Sequence, residues 1–304
     1  MISLSKKCFG SADAAMVMTC FLWGLNAVIS KNALGDTPET FRVYIYNGLR
    51  IPAGTLFLIL TLKLTGDSMR IRIKHLPYIA LLALVGMFMF MFTFILGITM
   101  TSSTNTGVIN ATIPIFILLT SFLFGIERPT IRTITGIGIG FLGMLTLSFR
   151  LNGLSINTGD LLLLVSCLCW AFHTVFGKRL LGFYSPVAAT IWIYLFTSIY
   201  FIPLFCTQFK DQNWSSISLM NWFYLAVSSI GSIFLANSLY YFAIKKIGPT
   251  KVGVYTNLTP VFTLLLAVLI RGETVTITHI TGLLLILTGI GISKSKNKKM
   301  TMQI

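Results

Sequence analysis

Acidic side chains are scarce. The chain carries 8 Asp and Glu against 23 Lys and Arg, and charged residues of all kinds make up 10% of it, against about 25% in ordinary soluble domains. With 55% of the residues hydrophobic, there is too little charge to cover a water-exposed surface, which excludes a soluble globule. The carboxylates are Asp13, Asp36, Glu39, Asp67, Glu127, Asp160, Asp211 and Glu273, all at the ends of apolar runs or between them. None lies centrally in a run, so the paired acids that hydrolytic chemistry needs at membrane depth are missing. Cysteine is also sparse. Cys8, Cys20, Cys167, Cys169 and Cys206 show no metal-type spacing, and most fall within apolar runs, where Cys behaves as a small hydrophobe. No disulfide framework, metal site or cofactor is expected. Strict alternation of polar and apolar residues is absent too, which argues against a β-barrel.

What is present is length without charge. Apolar stretches of about 20 residues, enough to cross a ~30 Å hydrocarbon layer as helices, recur at 12–34, 40–62, 76–98, 103–125, 131–149, 159–181, 186–207, 219–244, 249–270 and 276–294. The expected fold class is an all-α polytopic membrane protein of ten spans. Lys6 and Lys7 precede the first stretch, but Asp13 opens it and no small-residue cleavage site follows, so it reads as a retained first span.

Cations divide between the two sides. With the N-terminus cytoplasmic, Lys63, Arg70, Arg72, Lys74, Arg128, Arg132, Lys178, Arg179, Lys245, Lys246, Lys251 and the tail lysines share one side. Only Lys31, Arg42, Arg150, Lys210 and Arg271 fall on the other. That bias is the positive-inside pattern, with both termini cytoplasmic. It accounts for the net charge of +15 without a nucleic-acid partner. The expected partners are a small-molecule substrate and the lipid bilayer, with the monomer as the unit. Abundant Ile, Lys, Phe and Asn point to an AT-rich bacterial genome and hence a bacterial inner membrane.

The chain repeats itself. Asp13, Cys20, Trp23, Val28 and Lys31 align with Asp160, Cys167, Trp170, Val175 and Lys178. Thr104, Gly107, Val108, Pro114, Phe116 and Glu127 align with Thr250, Gly253, Val254, Pro260, Phe262 and Glu273. "ITG" at Ile134–Gly136 falls on "ITG" at Ile280–Gly282, and Gly143 on Gly289. These identities exceed what shared apolar composition gives. Residues 1–152 and 153–304 are thus expected to form two units of five spans, the second inverted relative to the first because five is odd. Inverted repeats of this kind are a design of secondary transporters, with substrate held near the midplane between the units.

Two prolines stand at matching places, Pro114 in "ATIPIF" and Pro260 in "NLTPVF". Inside a helix, proline removes a hydrogen bond at a cost of roughly 3 kcal/mol. Paired broken or bent helices in corresponding spans point to a gate beside a transport site.

The WG of "FLWGLN", the arginine of "YNGLRIPAG", the P…GE or P…E endings of the fourth and ninth spans and the ITG…G of the fifth and tenth resemble the drug/metabolite transporter superfamily, EamA type. The resemblance covers nearly the whole chain. It implies a basket-shaped bundle with a central cavity lined chiefly by spans one, three, four, six, eight and nine, and substrates such as amino acids, nucleotide sugars or S-adenosylmethionine. Exporters of cationic drugs in the related small multidrug group use a membrane-embedded glutamate. This chain has Trp-Gly-Leu-Asn at that place, which argues against lipophilic-cation export.

Candidate cavity residues follow from the residue types. Trp23 and Asn26 are one helical turn apart, and Trp170 and His173 repeat the pair; an indole face beside an amide or imidazole suits a small amphipathic metabolite. His173 is the histidine placed inside a span, as a proton-coupling group or a neutral hydrogen-bonding one. Arg50 lies near the middle of the second span without a carboxylate at a comparable position, either bonded to protein or facing substrate. Phe90, Met91 and Phe94 form an apolar wall; Asn110, Tyr255 and Asn257 precede the prolines; Asn237 and Tyr240 share a face. Gly136, Gly140 and Gly143 read as a helix-packing face, and Glu127 and Glu273 as helix-end anchors. The function expected is transport of small polar metabolites, most directly amino acids or related zwitterions, by alternating access, with export implied by the family resemblance. Uptake or exchange of a nucleotide derivative or S-adenosylmethionine, and a non-transporting membrane scaffold, are the alternatives.

Overall fold

Long apolar segments with few breakers leave the backbone no partner but itself, and helices result. The computed structural model describes residues 12–35, 37–66, 68–101, 106, 109–148, 157–271 and 277–294. Cys8, Asp36, Asp67, Thr104, Gly107, Val108, Arg150, Glu273, Lys6, Lys7 and the lysines beyond Lys294 lie outside the described residues.

The elements are α1 Ala12–Ala33, α2 Val43–Thr65, α3 Ile73–Met100, α4 Ile113–Leu123, α5 Ile131–Ser148, α6 Thr158–Leu180, α7 Pro186–Phe209, α8 Leu219–Ile247, α9 (two segments, Pro249–Thr256 and Leu258–Arg271) and α10 Ile277–Lys294. Seven of these helical runs are long and apolar enough to cross a membrane, and Ile113–Leu123, Ile131–Thr146 and Ile277–Ser293 are shorter apolar helices. The protein is an all-helical, multi-pass membrane protein. Its outward faces are apolar, with Leu56, Phe122, Leu123, Ile199, Ile202 and Phe223 all exposed, as lipid contact requires.

Two helices change pitch partway. α3 has a π-helical stretch at Leu82–Phe88 and α8 another at Ser229–Ala236. Widening the helix loosens backbone hydrogen bonding. In α8 the side chain answers for it, with Asn237 Nδ2 donating to the Ser232 carbonyl at 2.6 Å.

At the prolines the chain takes the break and not the interior bend. Pro114 sits in the first turn of α4, and α9 breaks at Asn257 so that Pro260 falls in the first turn of its second segment. A first-turn N–H has no intrahelical acceptor in any case, so proline there sacrifices little. The helix breaks upstream of each proline instead of bending around it. At these breaks a cysteine from a neighbouring helix serves the backbone: Cys20 Sγ donates to the Tyr255 carbonyl at 3.1 Å and Cys167 Sγ to the Ile109 carbonyl at 3.6 Å. The two thiols are therefore more than small apolar fillers.

Packing is reciprocal. α1 lies against α8 and α9, and α6 against α3 and α4; α2 meets α7 and the π segment of α8, and α7 meets the π segment of α3. α5 and α10 form the closest pair. A Cβ at Gly136 would stand 2.5 Å from the Gly289 carbonyl oxygen, and one at Gly143 would stand 2.8 Å from that of Gly282. Only glycine permits this backbone contact. The starts of α1 and α6 are tied down in like fashion: Tyr255 Oη donates to Asp13 at 2.5 Å, and the Thr101 hydroxyl donates to Asp160. Asp160 also closes a capping box with Asn157, which accounts for the entry into α6.

Candidate functional site

The site grows from α1. Trp23 and Asn26 project one turn apart, and each joins a separate cluster. Trp23 meets Trp170 of α6 edge-on, ring centroids 5.3 Å apart at 78°, and meets Tyr240 of α8 at 5.1 Å. Trp170 lies 4.8 Å from Phe90 and 5.4 Å from Tyr240, and Phe90 is 5.8 Å from Phe94. Aromatic pairs at such separations contribute roughly 0.5–1.5 kcal/mol each beyond their burial. Five expected residues from α1, α3, α6 and α8 thus form one aromatic cluster. In this conformation the two tryptophans touch, so the cluster is closed on itself.

His173 lies beside it. The ring is fully buried, 5.4 Å from Trp170, and its Nε2 shares a 3.1 Å hydrogen bond with Tyr241 Oη. Its Nδ1 has no partner among the described residues. Gly86 allows the π segment of α3 to cross here, since a Cβ there would fall 2.8 Å from His173 Cβ. Tyr240 is fixed from the other side by a 2.7 Å hydrogen bond between its hydroxyl and that of Thr174.

Asn26 belongs to a polar cluster around Arg50. Arg50 Nε donates to Asn47 Oδ1 at 2.9 Å, and Nη1 donates to Asn26 Oδ1 at 3.2 Å and Ser228 Oγ at 3.0 Å. Ser228 Oγ also donates to Asn26 Oδ1, as does Ser30 Oγ at 3.2 Å, and Ser30 shares a 3.1 Å hydrogen bond with Tyr46. The Tyr46 ring lies 5.5 Å from the guanidinium carbon, within cation–π range. No carboxylate among the described residues pairs with Arg50. Neutral oxygens therefore hold a half-buried cation, and Nη2 makes no hydrogen bond to the described residues.

Other expected residues are placed elsewhere. Asn257 is buried against α5, where its amide nitrogen would meet a Cβ at Gly140 at 2.6 Å. Tyr255 gives its hydroxyl to Asp13, and Asn237 serves the π segment of α8. Asn110 lies within 3.8 Å of Cys167 Sγ. Asn110, Tyr255 and Asn237 make structural bonds and Asn257 packs at the break in α9; none of the four joins the tryptophans. Glu127 is an anchor, though not of its own helix: its Oε2 accepts from Thr250 N at 3.0 Å, at the start of α9.

Sequence reasoning missed Asn47, Ser228, Thr174 and Tyr241. Asn47 stands three residues before Arg50, helical spacing that could have revealed it. Ser228 comes from α8 and Tyr241 reaches α6, pairings that only the fold supplies.

Comparison with known proteins identifies the family. Relatives include the uncharacterized transporter YetK of Bacillus subtilis, 23% identical over 97% of this chain and 90% of its own length, and an uncharacterized transporter of Archaeoglobus fulgidus, 28% identical over 79% and 84%. The uncharacterized inner membrane transporter YedA of Escherichia coli is 24% identical over 86% and 83%. A protein of known crystal structure superposes with a TM-score of 0.79 at 17% identity, over 93% of this chain and 98% of that one, and so shares the fold. The EamA-like transporter family matches residues 10–149 and again residues 157–294. With both matches together spanning most of its length, the chain belongs to the EamA-like transporter family.

Proposed function

We propose that this membrane transporter carries small polar metabolites, most directly amino acids or related zwitterions, by alternating access between two inverted five-helix units. Its site is the aromatic cluster of Trp23, Phe90, Phe94, Trp170 and Tyr240 together with the Asn26–Arg50 cluster. One observation carries this reading: α1 presents an aromatic face at Trp23 and, one turn on, an amide bonded to an arginine that no described carboxylate neutralises. Aromatic faces suit an apolar side chain, and the spare Nη2 donor suits a substrate carboxylate.

Inverted symmetry is supported by the reciprocal pairs. Cys20 serves Tyr255 and Cys167 serves Ile109; Gly136 faces Gly289 and Gly143 faces Gly282. An axis exchanging the units generates each second contact from the first. Two successive family matches support the same division. At the basic end, α4 is joined to α9 by the Glu127–Thr250 bond and by Ile117 packing on Gly253. Transport requires that junction to part while the tryptophans separate. Both termini are assigned to the cytoplasm of a cell with this protein in its inner membrane, from the distribution of cations. Outward transport rests on the family resemblance.

Counterflow into proteoliposomes preloaded with mixed amino acids tests the substrate class, because exchange requires no imposed gradient. Accumulation of a labelled amino acid, abolished by unlabelled excess, is expected. Failure across the set, with protein shown to be folded, overturns the amino-acid assignment. A nucleotide derivative is the second reading, favoured by the several aromatic faces that could stack a base, and the same assay with labelled nucleotides decides it.

A further inference from the structure

A surface cleft lies away from both clusters, where four helices end together. It is an open cleft of about 480 Å³, lined by Ser68, Arg70, Ile71 and Arg72 from the α2–α3 connection and Phe183, Tyr184 and Ser185 from the α6–α7 connection. That volume is within the range of small-molecule sites, roughly 300–1,000 Å³.

Its walls are tied together. Trp192 Nε1 of α7 donates to the Met69 carbonyl at 2.9 Å, and Arg72 N donates to Tyr184 Oη at 3.1 Å. His75 Nδ1 shares a 2.6 Å hydrogen bond with the same hydroxyl, and Lys245 Nζ donates to the Tyr184 carbonyl at 3.5 Å. Ile71 packs into the main core. Two surface connections that could have moved independently are thus one structure. Within it, neither Arg70 nor Arg72 pairs with a carboxylate among the described residues, and Ser68 accepts from Arg70 N, leaving its own proton to give. Lys245 adds a third cation at the rim, while Phe183 and Ile71 supply an apolar side.

Two arginines beside a hydroxyl recognise a phosphate group. The cleft sits where α2 and α6 end and α3 and α7 begin, beyond apolar helices whose length matches the hydrocarbon layer and so where headgroups would lie. We propose that it binds the phosphate of an anionic phospholipid such as phosphatidylglycerol, with Arg70 and Arg72 on the phosphate and Phe183 and Ile71 against the glycerol and upper acyl chain. Side-based excess of cations alone would attract anionic lipid diffusely; a tied, aromatic-walled cleft retains one molecule. The proposal is independent of what the transporter carries.

Native mass spectrometry of the detergent-solubilised protein, titrated with phosphatidylglycerol or phosphatidylcholine, tests it. One phosphatidylglycerol is expected to be retained in preference to phosphatidylcholine. The double variant Arg70→Gln/Arg72→Gln should weaken that retention roughly tenfold or more, the scale of lost charge-assisted hydrogen bonds. Arg128→Gln/Lys251→Gln, which removes two cations assigned to the same side but outside the cleft, should leave it unchanged. Equal loss in both double variants, or no headgroup preference, overturns the site. Displacement of the lipid by glycerol phosphate at similar concentration would show that a soluble phosphate ester, not the lipid, is the ligand, and would overturn the lipid assignment.

Discussion

Arg50 has three neutral oxygens where a charged residue in a bundle ordinarily has a carboxylate. Removing it leaves Asn26, Asn47 and Ser228 without their shared donor, and removes the cation we assign to the substrate carboxylate. Arg50→Gln is expected to lower counterflow at least about tenfold, the scale of a lost charge-assisted hydrogen bond. Arg50→Lys should not restore it, because an ammonium cannot reproduce the fork that spans Asn47 and Asn26 at once. Full activity in the lysine variant would reduce the site to a point charge and remove the geometric part of the assignment. Trp170 offers a second test at this scale. Trp170→Phe keeps an aromatic face toward Trp23 and Tyr240 and should retain much of the flux, whereas Trp170→Ala should lose most of it. Thermal unfolding of each variant separates transport loss from the roughly 3–5 kcal/mol that truncating a buried aromatic costs. At residue scale the site was partly legible: the Trp–Asn and Trp–His pairs follow from helical spacing. Asn237 and Tyr255 were legible as polar but not as structural, because their acceptors, the Ser232 carbonyl of a π-helical stretch and Asp13 on another helix, are set by the fold and not by spacing.

Elements meet most closely at α5 and α10, and glycine decides whether they can. A Cβ at Gly136 would fall 2.5 Å from the Gly289 carbonyl oxygen, while one at Gly138 meets nothing within 4 Å. Gly136→Ala should therefore destabilise the protein by about 1–3 kcal/mol, as overpacking does. Gly138→Ala should be neutral or stabilising by up to about 1 kcal/mol, since alanine is the better helix former. Thermal unfolding in detergent measures both, and equal shifts would contradict the close packing. The broken helices give another element-scale expectation. Cys20→Ala removes the donor to the Tyr255 carbonyl and should lower stability by about 1 kcal/mol, with Cys20→Ser recovering part of it; equal stability of the two variants would argue that the thiol only fills space. Sequence marked these breaks by their prolines but misplaced them. Of the two outcomes expected, a break or a bend, the chain takes the break and ends one segment first, so that proline occupies a first turn where its missing N–H matters little.

Across the whole molecule the sequence carried more than at finer scale, because the membrane restricts the choices. Apolar length dictates helices, and an odd number of spans per repeat dictates inversion as the expectation. Two things lay beyond sequence: the π-helical stretches of α3 and α8, which no composition signals, and the junction of α4 with α9, which depends on Glu127 reaching across to Thr250. That junction is also where the proposed mechanism is most exposed. Alternating access requires α4 and α9 to part at the basic end, where an ideal Cβ at Gly253 lies 3.5 Å from Ile117 Cβ, within reach of a disulfide. The most direct measurement is counterflow by the Ile117→Cys/Gly253→Cys variant before oxidation, after it, and after reduction, with formation of the cross-link verified by mass and each single variant run alongside. The account predicts transport that is lost on cross-linking and regained on reduction, in the double variant alone. Undiminished transport through a fully cross-linked protein would contradict it.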